Sequence, residues 1–183
     1  FELLKQAAVH WDGGFTLCGL FGHGDAFALR DAAGIRPGYY YFDDEIAVVA
    51  SERPAIQTAF NLSSSEVMEL PPGHALTISV NGDIALKECL PAVPHKRCVF
   101  ERIYFSRGND ADIHRERLAL GRALVPAVMK AIDDDFDNTV FSYIPNTAQI
   151  SFHGLLDGLD SLRGSHRVRF SQIAVKDAKF RTF

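Results

Sequence analysis

Phe15–Arg30, FTLCGLFGHGDAFALR, decides how the first half of the chain is read. Two short apolar runs, Phe15–Leu20 and Ala26–Arg30, flank Gly22, His23, Gly24 and Asp25. Glycine reaches the positive φ angles of tight turns without a steric penalty, so this spacing predicts a β-hairpin. Gly19, Gly22 and Gly24 stand in the order GxxGxG between two strands, whereas a dinucleotide loop needs GxGxxG opening a helix. The pattern repeats outward. Tyr39–Phe42 pairs with Glu45–Ala50 across Asp43 and Asp44, and Ala75–Val80 pairs with Ile84–Lys87 across Asn81, Gly82 and Asp83. A helix starting at Ser51 interrupts them, with Glu52 in its first turn and Pro54 early, as a helix N-terminus favours. FELLKQAAVH, Phe1–His10, reads as the end of an amphipathic helix. Residues 11 to about 90 are thus expected to form antiparallel sheet belonging to a sandwich.

After Pro91 and Pro94 the texture changes, which places a boundary near residues 91–97 and divides the chain into 1–95 and 96–183. Ile113, Leu120, Leu124, Val128 and Ile132 recur at helical spacing, predicting a helix over 112–132 kinked at Pro126. Thr139–Ile144 and Phe170–Val175 read as strands around a helix at 148–162. This β-α-β order predicts parallel α/β structure, with the polar stretch Arg163–Arg167 as a shortened loop.

In the 183 residues, 47% are hydrophobic, 23% are charged and the net charge is −4, which excludes a disordered or fibrous chain. That balance gives no general reason to bind nucleic acid or an anionic membrane, and neither is an expected partner. No apolar run approaches the roughly 18 to 20 residues of a membrane span, so a cytoplasmic location is expected. Cys18, Cys89 and Cys98 include no CxxC pair, and none of the seven histidines pairs with another at i and i+4. Reduced thiols and no metal site follow from this spacing. Phe1 is not a start residue, and the chain is expected to be a piece of a longer protein.

Four segments carry candidate chemistry. Asp133, Asp134, Asp135 and Asp137 follow a helix and precede a strand, the context of a solvated turn rather than of a ribose-gripping carboxylate pair. RDAAGIRP, Arg30–Pro37, sets two arginines around a flexible turn; taken alone it favours a surface turn with salt bridges. VFSYIPNTAQISF, Val140–Phe152, places Pro145, Asn146 and Thr147 between a strand and a helix N-terminus. Amide donors and the helix dipole converge there on any bound phosphate, and a simple capped helix is the competing reading. KDAKFRTF, Lys176–Phe183, gathers Lys176, Lys179 and Arg181 after a strand, either as a clamp for a polyanion or as a solvated terminus.

Taken in order, WDGGF (Trp11–Phe15), RDAAGIRP, VVASERPAIQ (Val48–Gln57), ELPPGHAL (Glu69–Leu76), CVFERIYFSRGND (Cys98–Asp110) and KDAKFRTF resemble the glutamine phosphoribosylpyrophosphate amidotransferases, or amidophosphoribosyltransferases, most closely a divergent bacterial branch. The resemblance spans nearly the whole chain. It implies an α+β N-terminal-nucleophile hydrolase sandwich (αββα), represented by its second half, followed by the first half of an α/β type I phosphoribosyltransferase-like domain. On this resemblance residues 1–95 are the C-terminal part of a glutaminase (class II glutamine amidotransferase) domain, and residues 96–183 begin the phosphoribosyltransferase domain.

The same resemblance implies roles. Arg30–Pro37 and Ala50–Pro54 complete the sandwich. Tyr104, Ser106 and Arg107 fall in the domain-junction motif, which in the family ends Arg-Pro-Asp-Ser where this chain has Arg107, Gly108, Asn109 and Asp110. Arg117 and Gly121 match the following helix. Pro145, Asn146 and Thr147 align with the pyrophosphate-binding loop, while Lys176 and Arg181 align with the flexible loop that closes over phosphoribosylpyrophosphate. Asn146 replaces an acidic residue, and the flexible loop is one residue short, with Lys179 in place of Asn-Arg-Tyr. Cys98 matches a cluster ligand of iron-sulfur members, yet others carry a cysteine there without a cluster, so no cluster is expected. The resemblance implies glutamine and phosphoribosylpyrophosphate as partners, Mg²⁺ as cofactor, a homo-oligomer, and transfer of glutamine-derived ammonia to give 5-phosphoribosylamine in purine synthesis. This polypeptide shows no N-terminal cysteine nucleophile and is expected to be inactive alone; a non-transferring regulatory or nucleotide-binding paralogue is the alternative.

Overall fold

In the computed structural model, residues 1–91, 93–162, 164 and 167–175 are described. Their contacts divide into two units, Phe1–Phe105 and Ser106–Phe183. The first carries α1 (Glu2–Ala8), β1 (Thr16–Leu20), β2 (Ala26–Arg30), β3 (Tyr39–Phe42), β4 (Ala47–Ala50), α2 (Arg53–Phe60), β5 (Met68–Glu69), β6 (His74–Ile78) and β7 (Ile84–Glu88). Every expected hairpin forms. The Gly-bearing turn closes β1 on β2 through Phe21 N–H to Asp25 O at 2.8 Å and Gly24 N–H to Phe21 O at 2.9 Å.

The strands make two antiparallel sheets, in the orders β1-β2-β6-β7 and β4-β3-β5. Their period-2 alternation sorts side chains into layers. From β2 and β6, Ala28 and Leu76 meet Tyr40 of β3 and Val49 of β4 between the sheets, around Leu70. The alternate residues Leu29 and Ala75 face Leu4 and Ala8 of α1. On the far side Tyr39, Tyr41, Val48 and Ala50 pack on Ile56 of α2. Within this unit the order is helix, sheet, sheet, helix.

RDAAGIRP departs from the surface-turn expectation, because Arg30 and Asp31 are 2% and 1% exposed. The Arg30 guanidinium donates to Arg36 O at 2.6 Å, Leu70 O at 2.7 Å, Gly34 O at 3.1 Å and the Glu69 carboxylate at 2.8 Å. The Asp31 carboxylate accepts the amides of Ala33 (3.1 Å), Ile35 (2.9 Å), Phe15 (3.2 Å) and Arg36 (3.1 Å). A buried charge is tolerated only when its polar capacity is filled, and here backbone fills it. The same loop recruits the segment beyond the two prolines: Lys96 N–H donates to Ala33 O at 2.8 Å and Cys98 N–H to Ile35 O at 3.3 Å. Arg36 pairs with buried Glu101 in a π-helical turn, Glu101–Phe105. For this reason the first unit runs to Phe105, ten residues past the expected division at 95/96.

In the second unit α3 (Ala111–Ala123) starts at Asp110, whose carboxylate accepts the amides of Asp112 at 2.9 Å and Ile113 at 3.2 Å. The kink expected at Pro126 is a break: α3 stops at Leu124, and α4 (Val125–Ile132) restarts with Pro126 in its first turn. A proline has no N–H to lose there. The aspartates 133–137 form the exposed turn expected of them, with Asp135 accepting from Asn138 and held below the usual carboxylate range by that contact.

α5 (Gln149–Leu162) crosses α3 with backbones in near contact. A Cβ on Gly121 would lie 1.8 Å from Ser151 O, and one on Gly154 would lie 2.0 Å from Leu118 O. The expected strands Thr139–Ile144 and Phe170–Val175 contract to one parallel bridge, Phe141 with Phe170, made by Phe141 N–H to Arg169 O at 2.9 Å and Ser171 N–H to Phe141 O at 3.0 Å. The sense is parallel, as the β-α-β order requires. Among the described residues no further strand flanks this pair, and an isolated parallel pair has little to hold a longer ladder.

Asp31→Ala leaves four amides without their acceptor beside a buried guanidinium. It should lower stability by about 3 kcal/mol or more, while an exposed control, Asp83→Ala, should cost about 0.5 kcal/mol or less. Urea denaturation midpoints measure both, and equal midpoints would show that the loop folds without its carboxylate.

Candidate functional site

The candidate anion site sits where the chain leaves the Phe141 bridge and enters α5. Pro145 is buried, Thr147 half-buried and Asn146 exposed, within a turn over residues 145–148. Asn146 O accepts the amide of Gln149 at 3.2 Å, and Ala148 O accepts that of Phe152 at 2.8 Å, so the backbone already turns helically. Neither Asn146 nor Thr147 caps α5 with its side chain among the described residues. Among the described residues their amides and that of Ala148 meet no backbone acceptor, and they stand at the positive end of a fourteen-residue helix. Lys176 and Arg181, the expected partners of this loop, lie outside the described residues.

Within the second unit, residues 106–110 of the junction segment pack against the start of α5. Ser106 and Asp110 are buried, Arg107 is exposed, and Tyr104 is exposed in the π-helical turn of the first unit, ring edge to ring face with Phe105 at 5.2 Å. The Arg117 guanidinium, 4% exposed, donates to Ser106 O at 2.7 Å. Gly108 lies against α5, where an added Cβ would be 2.6 Å from Ile150 Cδ1 and 3.4 Å from Arg117 Nη1. The sequence pointed to Arg117, marked Gly108 and Asp110 only as departures from the junction motif, and left Ile150 without a role. Asp-x-x-Ile before a helical run was a readable capping signal, whereas the Gly108–Ile150 contact joins residues 42 positions apart and leaves no local trace.

Other chemistry is limited. Burial pushes the Cys89 thiol up, and partial desolvation does the same to Cys18, so neither is poised as a thiolate nucleophile. Cys98 is half-buried. Among the described residues no group of three or more His, Cys, Asp or Glu is arranged to hold a metal ion. A cavity of about 500 Å³ beside the C-terminal half of α5 is lined by Arg122, Asp157, Asp160, Ser161 and Phe170. Its two carboxylates would repel a polyphosphate, so it is no rival to the loop at the other end of that helix. No described helix is long and apolar enough to cross a membrane.

No family model matches the chain. Curated relatives do, and three of them are amidophosphoribosyltransferases from distant organisms. That of Pseudomonas aeruginosa is 27% identical over 146 residues, covering 75% of this chain and 28% of its own length. That of Escherichia coli K12 is 29% identical over 138 residues, covering 70% and 26%. That of Saccharomyces cerevisiae is 27% identical over 154 residues, covering 75% and 28%. Among solved structures, the glutamine phosphoribosylpyrophosphate amidotransferase of Bacillus subtilis, complexed with ADP and GMP, superimposes with a TM-score of 0.74 at 21% identity over 100% of this chain and 37% of its own. A structure described as the allosteric regulatory enzyme of purine biosynthesis gives 0.60 at 22% identity over 86% and 31%. These likenesses establish an α/β architecture of the phosphoribosylpyrophosphate amidotransferase kind. The chain is similar to amidophosphoribosyltransferases and spans less than a third of the length of these curated relatives.

Proposed function

We propose that the whole protein carrying this sequence is an amidophosphoribosyltransferase. It hydrolyses glutamine in one domain and passes the ammonia to C1 of phosphoribosylpyrophosphate in the next. The C1–O bond breaks, diphosphate leaves, and 5-phosphoribosylamine forms. One observation carries this reading: the matched stretches of 138 to 154 residues exceed the 105 residues of the first unit, so the similarity runs through both units. The first unit is then the latter part of an N-terminal-nucleophile glutaminase sandwich, a reading supported by its helix-sheet-sheet-helix order. The second opens a type I phosphoribosyltransferase domain.

In this reading the amides of Asn146, Thr147 and Ala148 bind the diphosphate of phosphoribosylpyrophosphate, favoured by the dipole of α5. Lys176 and Arg181 close over the same oxygens and neutralise charge as the diphosphate departs. Mg²⁺ enters as part of the substrate, carried on the diphosphate. Asn146, an amide where the family has an acid, holds the loop without placing a negative charge against the diphosphate. Glutamine hydrolysis uses a cysteine other than Cys18, Cys89 and Cys98, since each lies within the chain and has no free α-amine beside it to act as base. The protein works as a cytoplasmic homo-oligomer.

Calorimetric titration of the whole protein with phosphoribosylpyrophosphate and Mg²⁺ at fixed ionic strength, paired with an assay of diphosphate release driven by glutamine or ammonia, tests the function. Arg181→Ala should weaken binding about ten- to hundredfold if it makes a charge-assisted contact. Equal affinities would remove the clamp, and no diphosphate release from the unsubstituted protein would overturn the transferase reading. In a separate test, Cys18→Ser, Cys89→Ala and Cys98→Ser combined should leave glutamate release from glutamine within about threefold of the parent, whereas abolition would place the nucleophile among them.

A further inference from the structure

Arg117 is an arginine buried in the second unit, away from the solvent where a guanidinium is best hydrated. Its side chain reaches from α3 to the carbonyl of Ser106, eleven residues earlier, at 2.7 Å. Gly108, in the turn that this bond pins, has no Cβ, and Ile150 of the first turn of α5 fills that space. Asp110 then ends the same turn by capping α3. The segment 106–110 is thus fixed at three points, and one of them is Ile150, two residues beyond Ala148 in the first turn of α5. A helix whose first turn is braced cannot slide along its axis without breaking that packing. The amide donors at its end are therefore held at a set depth for whatever anion they receive.

We propose that Arg117 is a positioning residue for the anion loop. By holding Ser106–Asp110 against Ile150, it sets where the amides of Asn146, Thr147 and Ala148 stand and so sets affinity for the diphosphate group. It touches no substrate itself. The inference rests on the amidophosphoribosyltransferase reading, and the arms of its test separate the two. Arg117→Lys keeps the charge and one donor but loses the planar fork that spans Ser106 O and the face of Gly108. Ile150→Ala removes the other half of the brace. Arg122→Ala, on the same helix but half-exposed and paired with Asp157 at 3.0 Å, is the control.

In the whole protein, Arg117→Lys and Ile150→Ala should each raise KM for phosphoribosylpyrophosphate about tenfold, with kcat within about threefold and phosphoribosylpyrophosphate-independent glutamine hydrolysis unchanged, while Arg122→Ala matches the parent. A role confined to stability would lower the melting temperature and leave the KM of the folded protein alone, and that result overturns the proposal. So does a fall in kcat at constant KM. Should Arg117→Lys fail to fold, the KM of Ile150→Ala decides by itself. A parent that binds no phosphoribosylpyrophosphate overturns the function and the proposal together, whereas a parent that binds it beside variants with unaltered KM overturns the proposal alone.

Discussion

Two adjacent buried charges, Arg30 and Asp31, impose the constraint on which the first unit depends. Neither is neutralised by a single ion pair; each is enclosed by backbone, the cation by carbonyls and the anion by amides, with Glu69 reaching Arg30 from β5. Desolvating a charge costs far more than one hydrogen bond returns, so only a loop that supplies most of the partners at once can close around it. That all-or-nothing requirement fixes the path from Asp31 to Arg36. The path then offers Ala33 and Ile35 carbonyls to the segment arriving after the prolines. The unit boundary follows from electrostatics more than from hydrophobicity.

The second unit rests on closeness of a different kind. α3 and α5 carry glycines where they cross, and carbonyls of each helix occupy the positions that side chains would take. Dispersion grows steeply as backbones approach, so the pair gains contact without bulky residues at the seam. Bulk is placed to one side, where Val125, Phe136, Phe141, Phe152 and Leu159 form a core. The turn over residues 145–148 is attached at the end of α5 nearest the crossing.

Hairpins were legible because their information is local: turn glycines and aspartates, with apolar residues on alternate positions, specify β1 to β4 and β6 to β7 within a few residues. β5, two residues long, carries no periodicity and went unread. RDAAGIRP misled because arginine and aspartate in a turn have the composition of a surface, and only the fold shows that their partners are backbone groups. Thr139–Ile144 reads as a buried strand, yet a strand is defined by its neighbours, and one residue of it is paired. The strand-loop-helix order disclosed the turn that holds residues 145–147, the proposed site. The support beneath it, Gly108 on Ile150, required the third dimension.

β1 has a paired neighbour on one side, β2, and among the described residues none on the other. Its sequence, TLCGL, carries no charge and no proline, and Leu17, Cys18 and Leu20 are exposed. The opposite margin of the sheet, β7, ends in Lys87 and Glu88. Strands with unprotected margins recruit one another through their free amides and carbonyls, and charged residues suppress this. Preparations of the 183-residue polypeptide will thus have a preferred direction of self-association, strand to strand along β1, and a lysine placed at Leu20 would raise its solubility while leaving the four buried clusters untouched.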